Sequence, residues 1–309
     1  MAKAREIIKR RKAVENIRKI TRTMELIATA RFRKAMDRAT EAEVFTRKIA
    51  ELVSDLGESS TELSHPLLQR RDPIRKTLIL VLTSNRGLAG GYNGNVLRVA
   101  TKAIQEREVD GIKVGIEVSG KRGITYLRNR KIPTEATYTQ FVDKPQFSEV
   151  EVLADEYINK YVRGEIDQLE VVYTQFVNTA RQVATIQTLL PIVTTDIGQV
   201  APTMRKGKAQ EADAAAEQGS KWAPVPYEFV PDAKSILEEI VPVSFKVRLF
   251  KCFLDTAVSE QIARMVAMRG ATQNADDLVK SLTRQYNRAR QSQITSQLAE
   301  IVGAVDALK

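Results

Sequence analysis

The chain has one cysteine, one histidine and one tryptophan in 309 residues, and aromatics make up only 6%. The lone Cys252 excludes an internal disulfide and fits a reducing compartment. The lone His65 excludes any two-histidine dyad or metal site; it stands before Pro66, in an expected loop. So few aromatics are low for a chain with one large globular core. Long paired helices bury narrow stripes and need few of them. No apolar run reaches about 18 residues, so no segment is expected to span a membrane. Negative charge is also short: 48 Lys/Arg stand against 38 Asp/Glu, for a net +10 and a pI of about 9.6. Residues 1–57 carry 15 Lys/Arg against 8 Asp/Glu, which is +7 of that total. Such a surplus implies an acidic partner: nucleic acid, anionic lipid or an acidic protein surface.

The ends are helical. Ile7, Val14, Ile17, Ile20, Met24 and Ile27 recur at three- and four-residue steps, with Ala28 and Ala35 continuing the line. That is a helix stripe close to a heptad seam. No Pro or Gly interrupts it before Gly57, so a helix roughly 80 Å long is expected. Its basic, amphipathic start could pass for a transit peptide, but Glu6, Glu15 and Glu25 interleave the same period, which reads as mature helix. At the other end, Asp232 is a plausible N-cap and Pro242 should kink or break the helix early. Beyond it an apolar line includes Leu254, Val258, Ile262, Met265, Leu278, Leu282, Leu298, Ile301 and Val305. The line thins to Gly270, Ala271, Thr272 and Ala275, where pairing should be tight or wet. A long helix at each terminus can bury its stripe against the other terminus.

Between them lies an α/β pattern. Residues 77–83 form a continuous apolar run of strand length, as expected for a strand covered on both faces. A glycine loop follows, then a helix to about Arg107. Residues 112–118 read as a second strand, 123–129 as a helix, 149–163 as a helix and 169–176 as a strand. Alternation of this kind predicts a small parallel sheet in a three-layer domain. The fold class is therefore α/β, with a Rossmann-like central domain and a coiled coil of the N- and C-terminal helices. The expected divisions are an N-terminal coiled-coil helix at 1–57, a linker at 58–76 and the α/β domain at 77–202. An insert and lead-in follow at 203–231, then the C-terminal helix at 232–309. The alanine-rich, polar stretch 203–222 is expected to be a mobile loop or frayed helix, dispensable for assembly.

Candidate chemistry is sparse. Gly87, Gly90, Gly91 and Gly94 follow a strand and precede a helix, the usual setting for an anion at a helix N-terminus. The spacing is neither G-x-G-x-x-G nor a P-loop, and no Lys-Ser/Thr follows. A strand-to-helix turn needing positive φ, or a protein contact, accounts for it better. Cys252 sits between Phe250 and Phe253, where a buried thiol is the ordinary outcome. Asp276 and Asp277, like Glu238 and Glu239, are adjacent, cannot share a helix face, and read as solvated charges. The basic N-terminal face could bind nucleic acid, but only Phe32 and Phe45 precede Gly57, so base stacking is unsupported. No catalytic constellation, cofactor site or metal site emerges.

With these residues in view, nearly the whole chain resembles the gamma subunits of F-type ATP synthases. Lys19-Ile20-Thr21-Arg22-Thr23-Met24-Glu25-Leu26 is similar to that family's opening helix motif. Thr83-Ser84-Asn85-Arg86-Gly87-Leu88-Ala89-Gly90-Gly91 resembles its glycine loop, with Asn85 and Ala89 where Asp and Cys are common. Tyr227-Glu228-Phe229-Val230-Pro231-Asp232 resembles the lead-in to its last helix. Ala289-Arg290-Gln291, Ile294-Thr295 and Glu300-Ile301-Val302-Gly303 resemble its C-terminal signature, with Gln297 where Glu is usual. The two-cysteine insert of chloroplast members is absent.

The resemblance implies an antiparallel, left-handed coiled coil inside a hexamer of alpha and beta subunits. It implies an α/β domain seated on the epsilon subunit and the c-subunit ring. The chain would be the rotor shaft that couples proton flow to ATP synthesis or hydrolysis, with no catalytic residues of its own. It would lie peripherally on the cytoplasmic side of a bacterial inner membrane and bind no nucleic acid. Arg290 and Gln291 match positions that touch a beta loop, and Thr295 and Met24 are further expected partner contacts; Arg86 and Ala89 lie where the family's loop faces an acidic beta segment. Two other readings stand beside it: a basic coiled-coil scaffold or nucleic-acid binder, and a nucleotide enzyme using the Gly87–Gly94 loop.

Overall fold

The structure, a computed structural model, describes residues 2–59, 65–141, 144–192 and 233–307. The expected insert at 203–222 lies outside them. The chain divides into two compact units: Met1–Ala30 with Arg264–Lys309, and Arg31–Ala263.

The second unit holds a five-stranded sheet of order β3-β2-β1-β4-β5. Its strands are β1 (Lys76–Leu82), β2 (Lys113–Ser119), β3 (Ala136–Tyr138), β4 (Gln168–Phe176) and β5 (Gln182–Leu190). The first four pair in parallel and β5 closes the far edge antiparallel to β4. The sheet helices are α2 (Tyr92–Val109), α3 (Lys121–Asn129) and α4 (Phe147–Val162).

Because strand side chains alternate, β1 feeds two cores. Leu78, Leu80 and Leu82 meet Tyr157 and Tyr161 of α4 and also Phe245, Leu249 and Phe253. Ile79 and Val81 meet Val96, Leu97 and Ala100 of α2 and Leu127 of α3. A strand buried on both faces needs an unbroken apolar run, which is what residues 77–82 supply.

The terminal helices are α1 (Ala2–Ser59) and α5 (Ala233–Ala307), of 58 and 75 residues. Helix α1 ends at Ser59, close to its expected bound at residue 57, and α5 runs through Pro242 without a break. Val241, Ser244 and Phe245 beside that proline are buried, so tertiary packing outweighs its missing donor.

Within the first unit α1 and α5 are antiparallel. Partner numbers fall on one helix as they rise on the other: Arg11 with Tyr286, Arg18 with Asp276, Thr21 with Thr272, Glu25 with Arg269. Among the sheltered positions, 7, 11, 14, 18, 21, 25 and 28 run in line along α1, and 265, 268, 272, 275, 279, 282, 286, 289 and 293 along α5. Alternating three- and four-residue steps are the 3.5 repeat of a left-handed coiled coil.

That seam corrects the expected apolar stripe. Ile17, Ile20 and Ile27 are exposed, as are Leu278, Leu298 and Ile301. The inward line carries Thr21, Glu25 and Ala28 instead, facing Met268, Thr272 and Ala275. Asp276 is no solvated spectator either, because it pairs with Arg18 at 3.0 Å.

Candidate functional site

The glycine loop grows from the C-terminal end of β1. The Thr83 backbone N–H and hydroxyl both donate to the Ser119 carbonyl at 2.8 Å, and the Thr83 hydroxyl accepts from Gly123 N–H at 2.9 Å. Ser84 donates its N–H to Asn93 Oδ1 at 3.0 Å and its hydroxyl to the Arg86 carbonyl at 2.6 Å. Asn85 donates to the Thr139 carbonyl at 2.8 Å and accepts from Lys121 N–H at 3.0 Å. The loop thus directs its polar groups at its own frame, which suits a fixed turn better than a phosphate cradle. Gly90 has φ 56° and Leu88 φ 65°. A leucine in that left-handed region is uncommon and strained.

Leu88 is also 60% exposed, whereas Ala89 beside it is buried at 2%. Arg86 lies on the surface and Ala89 beneath it, so a partner meeting this loop would touch Arg86 and Leu88 before Ala89. Leu88 was missed in the sequence because a single apolar residue among glycines has no periodicity.

The strand order places a crevice at the C-terminal ends of β1 and β4, where a Rossmann-like sheet takes its nucleotide. Helix α5 covers this place. Tyr92 at the start of α2 donates to the Thr256 carbonyl at 3.4 Å, and Ser259 donates to the Thr174 carbonyl at 3.3 Å. Leu254, Val258 and Ile262 pack there on Phe176 with Phe32, Ala35 and Ala39 of α1. The crevice anchors the long helices.

Two carboxylates are buried in the sheet. Glu117 accepts from Tyr157 at 2.6 Å, Tyr138 at 2.9 Å and Lys160 at 3.0 Å. Burial, then the carboxylate's charge, pushes both phenols above their ordinary range. Glu170 pairs with Arg107 at 2.5 Å, and this hydrogen bond raises the guanidinium's pKa. Each carboxylate is neutralised by a cation from an adjacent helix, which identifies a structural pair. Cys252 is buried, and burial pushes its thiol up to about 12, far from a reactive thiolate. Among the described residues no cluster of His, Cys, Asp and Glu could hold a metal, and no helix is long and apolar enough to cross a membrane.

In the first unit the seam is polar at its middle. Glu25 is 4% exposed and accepts from Arg22 at 2.9 Å and Arg269 at 3.2 Å. Burial alone would raise its pKa, but the bonds from Arg269 and Arg22 outweigh that and hold it below the usual carboxylate value. Met24 is half-buried beside it. Arg290, Gln291 and Thr295 lie exposed further along α5, where the Thr295 hydroxyl donates to the Gln291 carbonyl at 3.0 Å. Beside and beyond them Ile294, Leu298, Ile301 and Val302 are all exposed, at 47–61%. Their spacing places them on one apolar face that no helix of this unit covers.

The profile described as ATP synthase matches residues 3–308. A Rhodopirellula baltica protein named ATP synthase gamma chain is 50% identical over 309 residues, covering all of both chains. The chain belongs to the ATP synthase gamma chain family. A second gamma chain, from Leptospira biflexa, is 36% identical over 308 residues and again covers both chains fully. Members of this family are central-stalk subunits, so the chain is a non-catalytic part of an ATP synthase, peripheral to the membrane.

The fold agrees with solved structures. A chain of the Euglena gracilis mitochondrial ATP synthase, solved with OSCP, F1 and c-ring, superimposes with TM-score 0.63 at 17% identity. The match covers 99% of this chain and 95% of that one. A central stalk and c-ring structure from Tetrahymena thermophila gives TM-score 0.53 at 21% identity, over 82% of this chain and 99% of the other.

Proposed function

We propose that this chain is the rotor shaft that couples proton-driven rotation of a c-subunit ring to catalysis in a hexamer of alpha and beta subunits. The observation that carries this is the uncovered apolar face Ile294, Leu298, Ile301 and Val302 at the end of α5. Side chains of this size, contiguous and exposed, mark a contact with another chain. Ile17, Ile20, Leu26 and Ile27 of α1 are exposed in the same unit. A sleeve of surrounding subunits would cover both helices at once.

In this reading Arg290 and Gln291 touch a beta-subunit loop, and Thr295 and Met24 are further partner contacts; Met24 lies near Arg269, about 30 Å along the pair from Arg290. Arg86 meets an acidic beta segment, with Ala89 contributing through its backbone. The sheet unit docks on the epsilon subunit and the c ring. The complex sits on the cytoplasmic side of a bacterial inner membrane, a placement supported by the bacterial sources of the relatives. Coupling is differential contact: each orientation of an asymmetric shaft favours a different beta conformation. Moving one site from 1:99 to 99:1 takes about 5.5 kcal/mol, within reach of many modest contacts.

Arginine holds a carboxylate or carbonyl bidentately, which alanine cannot do. Arg290→Ala is expected to assemble at normal yield and to lower ATP-driven turnover, with Gln291→Ala weaker in the same direction. Both side chains are exposed, so stability should change by less than about 0.5 kcal/mol. Turnover per assembled complex is the measurement. A double variant with unchanged turnover removes these residues from the mechanism.

A further inference from the structure

The buried carboxylate of the helix pair is answered twice. Glu25 accepts from Nη1 of Arg22 at 2.9 Å on one oxygen and from Nε of Arg269 at 3.2 Å on the other. Arg10, Arg18 and Lys280 of the same unit each meet a single acid: Glu6, Asp276 and Asp277. One cation suffices to neutralise a carboxylate, so the group around Glu25 keeps a net positive charge. Its helical neighbours do not offset it. Three and four residues from Arg269 stand Met265, Val266, Thr272 and Gln273; around Arg22 stand Arg18, Lys19, Glu25 and Leu26. Glu25 is the one acid among them.

The two arginines come from different helices and end at one carboxylate, so their guanidiniums lie side by side. Glu25 is buried, whereas the side chains of Arg22 and Arg269 are 60% and 70% exposed. Each directs one N–H at Glu25 and has further donors in a planar fork. A solvated arginine loses rotamer freedom when it binds; these two are already held, which lowers that cost. Leu26 lies one turn from Arg22 and Val266 one turn from Arg269, and both are exposed. Fixed guanidiniums among exposed apolar side chains have the composition of a protein contact, in which arginine is a frequent anchor. A phosphate site is disfavoured, because all of these residues lie inside long helices whose N–H groups bond within the helix.

We propose that Arg22 and Arg269 form a clasp for a carboxylate of the protein that surrounds the helix pair, with Glu25 as the positioning residue that holds both guanidiniums. The partner segment is acidic and brings apolar side chains that cover Leu26 and Val266. The clasp rests on the rotor reading, which places a sleeve of other subunits around both helices, and adds to it the chemistry of one contact.

The test is the rate at which the chain is lost from its assembled complex with alpha and beta subunits, followed by gel filtration at several salt concentrations. Melting of the isolated chain is read beside it. The triple variant Arg22→Gln, Glu25→Gln, Arg269→Gln removes the clasp without stranding a buried charge, and its loss is expected to be at least about tenfold faster than wild type. Wild-type loss should also quicken with salt more steeply than that of the triple variant, a difference that helix packing alone would not produce. Glu25→Gln by itself supplies a decisive sign. It makes the chain more positive, so simple attraction to an acidic sleeve would slow its loss. With the guanidiniums no longer held, loss about threefold faster is expected instead. Glu6→Gln changes the net charge equally at an exposed pair, and should be lost no faster than wild type. If the triple variant melts early, Arg22→Lys with Arg269→Lys decides, since it keeps every charge and removes the fork; loss about threefold faster is expected. A triple variant, or in its place the lysine pair, retained as well as wild type overturns the proposal. So does a Glu25→Gln chain lost no faster than Glu6→Gln, which would make the arginines a diffuse charge. A wild-type chain that never joins alpha and beta subunits overturns the rotor reading as well, whereas failure of the clasp alone leaves wild-type assembly intact.

Discussion

The sheet unit and the helix-pair unit distribute apolar residues in opposite ways. Around the sheet, Leu78, Ile79, Leu80, Val81 and Leu82 are all at most 1% exposed, and the large side chains Tyr157, Tyr161 and Phe245 are fully buried with them. In the helix pair the seam shelters Thr21, Glu25, Ala28, Met268 and Ala275, while Ile17, Ile20, Leu298 and Ile301 face out. The sheet unit satisfies itself. The helix pair holds together by close approach of small residues, a hydroxyl pair, a carboxylate between two arginines and the contacts of Arg18 with Asp276 and Arg11 with Tyr286, and leaves its larger apolar groups for another chain. A domain and a contact surface can thus be told apart by where their isoleucines point.

The comparison breaks most visibly in the sheet core. Leu80→Ala removes a wholly buried side chain between helix and sheet and is expected to cost about 3 kcal/mol, read as a shifted urea midpoint. Glu117→Ala should cost somewhat less, about 2 kcal/mol, because it strands the buried Tyr157 hydroxyl, while Lys160 keeps Glu156. Glu117→Gln should recover part of that loss.

The helix pair should respond to acid. Glu25 has its pKa lowered in the folded state, so its contribution is present above the ordinary carboxylate value of 4.5. It is lost as pH falls through the lower folded value. Wild-type stability should therefore fall more steeply below pH 4.5 than that of Glu25→Gln. Parallel curves would mean that Glu25 is not the group that clasps Arg22 and Arg269.

Much of the sheet was legible because buried parallel strands are continuous apolar runs; β1, β2 and β4 stand out for that reason. Strands β3 and β5 did not. Ala136–Tyr138 is too short to show a pattern, and β5 is a half-covered edge whose Gln and Thr residues dilute it. The long helices were legible from their period, but the seam only in part: Ile7, Val14, Ala28, Met265 and Leu282 do lie on it. Apolarity picked Ile17, Ile20 and Ile27, while Arg11, Arg18, Thr21 and Glu25 lie on the inward line. The thinning around Thr272 and Ala275 was readable, because small residues permit the Thr21–Thr272 bond of 2.9 Å. In the candidate site, the glycine loop's position after β1 was plain. That Ala89 is covered and Leu88 presented depends on backbone angles no spacing reveals.

The central claim is that the outward apolar residues of the helix pair serve assembly and not folding. A variant with Ile294→Ser, Leu298→Ser and Ile301→Ser tests it most directly, by thermal melting of the isolated chain beside the yield and turnover of the assembled complex. The account predicts an unchanged melt with a clear loss of assembled, coupled complex, because these side chains touch no core in the chain itself. A lowered melt with intact assembly and turnover would contradict it.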